Sequence, residues 1–193
     1  MKKSLNIILA FSIIFFISAI LISPCGIYGD NKNPKMMYND SLKNRATTQQ
    51  YIDESITLDK LFVPEDDTKR FNSSQYVSLI GYIALVKRGG SETCNCHSKD
   101  KADLDTHIEL SLDSCETNNK KCIVCEVTRY NADDRLTYQN IKKLKGKKVQ
   151  IEGYLFFDEE HKQNAVNTNP SGTNLWRASC WEIHPVCGIQ TIK

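Results

Sequence analysis

The chain has 193 residues, 40% hydrophobic and 25% charged, with eight cysteines and a formal net charge of +2. Setting aside Lys2 and Lys3 leaves 23 basic residues against 23 acidic ones, an even balance that lacks the basic footprint of a nucleic-acid binder and argues against nucleic acid as a partner. The length suits one domain with its own core, preceded by a leader and a tether.

Lys2 and Lys3 precede an apolar run from Leu5 to Ile22 broken only by Asn6, Ser12 and Ser18. This is the pattern of an export signal, and at about 18 residues it is also long enough to span a bilayer uncleaved. Ile22-Ser23-Pro24-Cys25 resembles a lipoprotein signal except for its proline, and cleavage near Cys25-Gly26 or Tyr28-Gly29 is compatible with the residues there. Residues 1–29 are therefore read as a signal peptide or membrane anchor. The rest of the chain is expected to be exported: periplasmic, membrane-anchored or extracellular.

Residues 30–74 read as a polar tether. Asn, Lys, Asp, Ser and Thr dominate to about Gln50 without periodicity, whereas Ile52, Ile56, Leu58, Leu61 and Phe62 permit a short amphipathic helix between Tyr51 and Pro64. The folded domain is expected over 75–193. Tyr76–Lys87 is β-branched and aromatic with Gly81 at its middle, the mark of a bulged or bent strand. A polar loop follows to Leu104, then strands at Asp105–Leu112 and Cys122–Arg129. Leu136–Gly146 reads as a helix, with Thr137 as N-cap, Ile141 and Leu144 on one face, and Gly146 as the stop. Lys148–Phe157 alternates as a fourth strand, Asp158–Thr173 is a second long loop, and Leu175–Ile189 supplies a fifth strand with a bend at Pro185. Five strands with one helix between the third and fourth predict a mainly β fold, a five-stranded OB-like barrel preceded by an N-terminal hydrophobic helix. An unrelated five-stranded barrel and a sandwich are the alternatives.

Cysteine usage fits an oxidising compartment. Cys94, Cys96, Cys115, Cys122, Cys125, Cys180 and Cys187 are the disulfide candidates, and about two or three bonds with one thiol left over are expected. Cys122-Ile-Val-Cys125 has redox-motif spacing, but in a strand its two side chains point to opposite faces, so both are read as structural. Cys94-Asn-Cys96-His97 could join a zinc site, with disulfide bonding the commoner use.

Three of the four histidines stand beside carboxylates: Asp105-Thr-His107-Ile-Glu109, Asp158-Glu-Glu-His161 and Glu182-Ile-His184. Residues two apart on a strand share a face, so imidazole and carboxylate lie side by side in two of these. On an OB plan, ligands lie across strands two and three between the first and last long loops. His107, Glu109, Glu126, His161, Trp176, Arg177, Glu182 and His184 are the candidate binding residues. A divalent metal, zinc by ligand type, is the candidate cofactor, held by His107, His161 and His184 with Glu109 or Asp105. A polar cluster satisfied by its own hydrogen bonds is the alternative. Of Trp176 and Trp181, five apart, one is expected in the core and the other as a stacking platform or cover.

The segments DTHIEL, IVCEVT, LKGKKVQIEGYLFFDEEH and WRASCWEIHPV resemble a group of exported bacterial OB-fold-like proteins of uncharacterised function, over about residues 76–190. More distantly the plan is similar to the thermonuclease barrel, which uses acidic calcium ligands and two arginines. Arg129, Arg135 and Arg177 stand in no matching context. Two functions remain open: a binding module of the cell envelope for a polymer, peptide or protein, and a metal-dependent, phosphodiesterase-like hydrolase built on the His/carboxylate cluster. A purely structural envelope component is a third class.

Overall fold

Alternating apolar side chains close one β-barrel. The computed structural model describes residues 25–193 apart from 66 and 132; the expected N-terminal hydrophobic helix, as signal or anchor, lies outside them. No helix among the described residues is long and apolar enough to cross a membrane.

Five strands, β1 (Tyr76–Arg88), β2 (Thr106–Ser111), β3 (Ile123–Val127), β4 (Lys148–Phe157) and β5 (Trp181–Thr191), follow the order β1-β2-β3-β5-β4 around a closed barrel. Neighbours are antiparallel except β3 and β5, which run parallel. This is the OB-like topology expected. Val77, Leu79, Ile83, Ile108, Leu110, Ile123, Cys125, Val149, Ile151, Leu155, Trp181 and Ile183 fill the interior.

Curvature is concentrated where side chains are missing. A Cβ on Gly81 would stand 2.6 Å from Leu58 Cδ2 and 2.7 Å from Ser111 O, and the β1–β2 register shifts just beyond it, between Ile83 and Leu85. Gly153 lets β4 pass β5 at a second shift, where a Cβ would press on Pro185 O and lie 2.5 Å from Ile183 Cγ2.

The helix between β3 and β4 is shorter than expected. A 3-10 turn at Asp134–Leu136 precedes α2 (Tyr138–Lys142), and both bury one apolar residue, Leu136 and Ile141, against the barrel. Gly146, at φ +79°, turns the chain into β4. The last strand starts at Trp181, not Leu175, because residues 175–180 run as a loop over the barrel wall, with Ala165 bridging Arg177.

Residues 30–74, read from composition as a tether, carry α1 (Pro34–Lys43) and a 3-10 turn at Leu58–Phe62. Asn33 caps α1 by accepting from the Lys35 amide, and Pro34 opens it with a preset φ. Its buried residues are Asp40 and Lys43, so polar contacts hold it down in place of an apolar stripe. Ile56, Leu58 and Leu61 belong to the core, so the expected amphipathic segment is a buried 3-10 turn.

One disulfide, Cys25–Cys96, clips this N-terminal segment to the β1–β2 loop. The other six cysteines are free, so the expected set of two or three bonds among the seven later cysteines is not formed. The partner of Cys96 is Cys25, which composition had assigned to the leader. Arg129 Nη2 and the Tyr130 hydroxyl donate to Cys25 O at 3.0 and 2.5 Å, and Asn44 Nδ2 donates to Cys94 O at 2.8 Å.

Candidate functional site

On β2 and β3 the inward residues alternate with His107, Glu109, Val124 and Glu126, which point outward. They are nevertheless buried, because the 25–45 segment and the 158–180 loop lie over this wall. His107 pairs in register with Glu126, and β5 adds Glu182 and His184 on the same side. The OB ligand face is thus a covered, charged layer.

Its deepest part surrounds His184, which is wholly buried. The Glu182 carboxylate lies 3.1 Å and the Glu126 carboxylate 3.3 Å from Nδ1, and Asp105 lies 3.4 Å from Nε2. Burial alone would push this imidazole down. The Asp105 and Glu182 carboxylates and the charge of Glu126 outweigh burial and lift His184 to about 10. Glu126 is held far below the usual carboxylate range: burial opposes this, but its bond from His107 and the charge of His184 dominate. One ligand atom each from Asp105, Glu126 and His184 lies within 4.8 Å of the others, a spacing able to hold a divalent cation. His184 Nε2 has no well-aligned hydrogen-bond partner. A cation here would replace the proton that His184 otherwise keeps.

Glu126 joins this group to a pocket of about 200 Å³. While Oε2 faces His184, Oε1 is 2.8 Å from His107 Nδ1. Lys43, Lys87, Arg88, His161, Trp176 and Glu182 complete much of the wall. Lys43 reaches in from α1, pairs with Glu92 at 2.8 Å and lies over the Phe156 ring at 5.6 Å. Lys87 Nζ lies 3.5 Å from Glu109 and 5.7 Å from the Trp176 ring.

Arg177 anchors the 158–180 loop. It donates to Ser179 O, Asp158 Oδ2 and Glu182 Oε2, each at 2.7 Å, and is 1% exposed. Asp158 in turn meets His161 Nδ1 at 2.5 Å. Against the opposing pull of burial, the His161 bond and the Arg177 charge hold Asp158 far below its ordinary value. Donating that bond to Asp158 lifts His161 despite burial. His107 is also raised: burial opposes, and the contacts with Glu109 and Glu126 prevail.

The candidate residues named from sequence therefore sit as follows. His107, Glu126, His161, Trp176, Arg177 and Glu182 line the pocket, Glu109 stands beside His107 at 3.5 Å, and His184 lies behind Glu126. Of the three imidazoles expected as ligands, His184 alone is in the cation-competent group; His107 turns its Nδ1 to the far oxygen of Glu126, itself a member of that group, and His161 turns its Nδ1 to Asp158, which is not. Trp181 is the core tryptophan, donating to Asp67 O at 2.7 Å, and Trp176 is the one at the pocket. His97 is exposed and faces Asp30 at 3.8 Å. The thermonuclease-like arginines do not converge: Arg129 holds Cys25 O, Arg135 pairs with Asp133 on the surface, and Arg177 is spent on the clamp. Lys43 and Glu92 were missed, since no local pattern marks a lysine in a polar stretch as buried.

No family model, curated protein or solved structure matches the chain. The site is accordingly read from its own geometry.

Proposed function

We propose that the protein is an exported hydrolase of phosphodiesters that depends on a divalent cation, with zinc as the candidate, held by Asp105, Glu126 and His184. The observation that carries this reading is the shared carboxylate: Glu126 belongs to the cation-competent group and also lines the pocket. Lys87 and Arg88 at the rim supply positive charge for an anionic ester. The bound cation would supply Lewis acidity and an activated water, and the chain's own contribution is to hold its ligands rigidly. Export is supported by the basic start and apolar run of Lys2–Ile22 and by the Cys25–Cys96 bond, which persists in oxidising compartments.

Hydrolysis of a chromogenic phosphodiester by zinc-loaded protein tests the reading. Chelation and Glu126→Gln should each lower the rate by about a hundredfold or more, as expected for loss of metal-borne charge stabilisation. A rate untouched by both would contradict it. Trp176 at the pocket favours a second reading, a binding module for an anionic envelope polymer or peptide. Its sign is ligand binding by loaded protein without turnover.

A further inference from the structure

Of the four imidazoles, His161 alone lines the pocket with a nitrogen free of the carboxylate layer. His184 has carboxylates at both nitrogens, and His107 has Nδ1 on Glu126 at 2.8 Å while its unbonded Nε2 is buried beside Glu109 at 3.5 Å. His97 lies by Asp30, among residues that do not line the pocket. The His161 side chain is 34% exposed, and its polar contact within the chain is through Nδ1 with Asp158. Nε2, on the far side of the ring, is free to meet a ligand.

The ring, at the kink of a 3-10 segment over Glu159–Asn164, is held from two sides. Glu182 fixes Arg177, Arg177 fixes Asp158, and Asp158 fixes His161 Nδ1. The Trp176 ring packs on the imidazole at 5.1 Å and 81°, blocking rotation from the other side. A carboxylate on Nδ1 sets the tautomer and stabilises the imidazolium, leaving Nε2–H as the group presented. The Arg177 contact keeps Asp158 ionised, so the proton stays on the imidazole, consistent with the raised His161 value.

We propose that His161 is the general acid of this pocket, donating its Nε2 proton to the leaving oxygen of a phosphodiester seated beside Trp176 and Lys87. This rests on the phosphodiesterase reading above. The phosphorus–oxygen bond to the leaving alcohol breaks, its electron pair stays on that oxygen, and Nε2 supplies the proton, so the alcohol departs neutral. Water forms the new phosphorus–oxygen bond and gives one proton to solvent, and the imidazole regains one from solvent. Asp158 stays ionised throughout. His161 donates directly to the substrate and is in that sense catalytic; Asp158, Arg177 and Glu182 are positioning residues.

A general acid matters most when the leaving group is poor. The test compares wild-type protein with His161→Asn and His161→Gln on two diesters, one releasing p-nitrophenolate and one releasing an alkyl alcohol, with melting curves for each variant. The alkyl ester should lose about 10²–10⁴-fold in rate, and the nitrophenyl ester, whose leaving group needs no proton, less than about tenfold. Equal losses on both esters, or none, would overturn the role of His161 while leaving the hydrolase intact. A wild-type protein inactive on both esters would overturn the hydrolase reading itself. Collapse of the melting temperature in both variants would assign His161 to the fold and overturn the proposal too.

Discussion

Arg177 is the residue on which the covered face depends, and its removal has a calculable cost. Arg177→Met keeps most of the side-chain volume but deletes three 2.7 Å hydrogen bonds and leaves Asp158 and Glu182 buried without their cation. Breaking a buried ion pair by removing one partner costs about 3–5 kcal/mol, mostly because the remaining charge stays desolvated. For a domain of this size each kcal/mol moves the melting temperature by about 2–4 °C, so a fall of about 6–20 °C is expected. Urea denaturation at neutral pH, followed by circular dichroism, reads the same quantity as a shift in midpoint. Adding Asp158→Asn and Glu182→Gln to Arg177→Met removes the orphaned charges and should recover part of the loss. A loss below about 1 kcal/mol, or no recovery, would refute the clamp and with it the fixed placement of His161.

Other expectations concern charge, the N-terminal clip and barrel closure. His184, lifted from 6.5 to about 10, contributes stability that is fully present below pH 6.5 and is lost as pH rises through 10. Glu126 and Asp158, both lowered from 4.5 and 3.8, contribute stability present above those values and lost as pH falls toward their folded-state values. Metal-free protein should therefore melt highest between these limits, near pH 5–6.5 in round terms, and a monotonic rise to pH 10 would count against the His184 network. Cation affinity should rise by up to about tenfold per pH unit below 10, because binding must expel the His184 proton; calorimetric titration at two pH values reads this directly. Replacing Cys25 by Ser opens a bond across 71 residues and should cost about 2–4 kcal/mol in urea, and an unchanged midpoint would show that the strap adds nothing. Gly153→Ala, forced against Ile183 and Val186, should lose about 1–3 kcal/mol, whereas Gly26→Ala, with nothing within 4 Å, should be near neutral.

Much of the barrel was legible because period-2 alternation and turn residues are local signals. β4 was placed at its observed bounds, β1 to within one residue, and the helix between β3 and β4 was recognised through Thr137 and Gly146. The β5 start was not, since the Leu175–Cys180 stretch has strand-like residues but spends its backbone and Arg177 on loop and clamp contacts. α1 escaped notice because it docks through Lys43, Asp40 and a disulfide, and leaves no apolar period to read. At the site, the pairing of imidazole and carboxylate in DTHIE and WEIHP was visible two residues apart. The match of His107 to Glu126 was not, because register is set by the intervening 112–122 loop and the buried face, which are non-local. The same holds for Asp105, Glu126 and His184, which come from the entry to β2, from β3 and from β5.

The cation centre is the centre of the account, and metal content tests it most directly. Purified protein beginning no later than Cys25 is dialysed against zinc, freed of excess, and assayed for bound metal beside His184→Ala and Glu126→Gln. About one cation per chain in the wild type, lost in both variants and on chelation with a lowered melting temperature, is the predicted result. No bound metal in the wild type, with melting unchanged by zinc or chelator, would leave Asp105, Glu126 and His184 as a buried ion network and contradict the proposed centre.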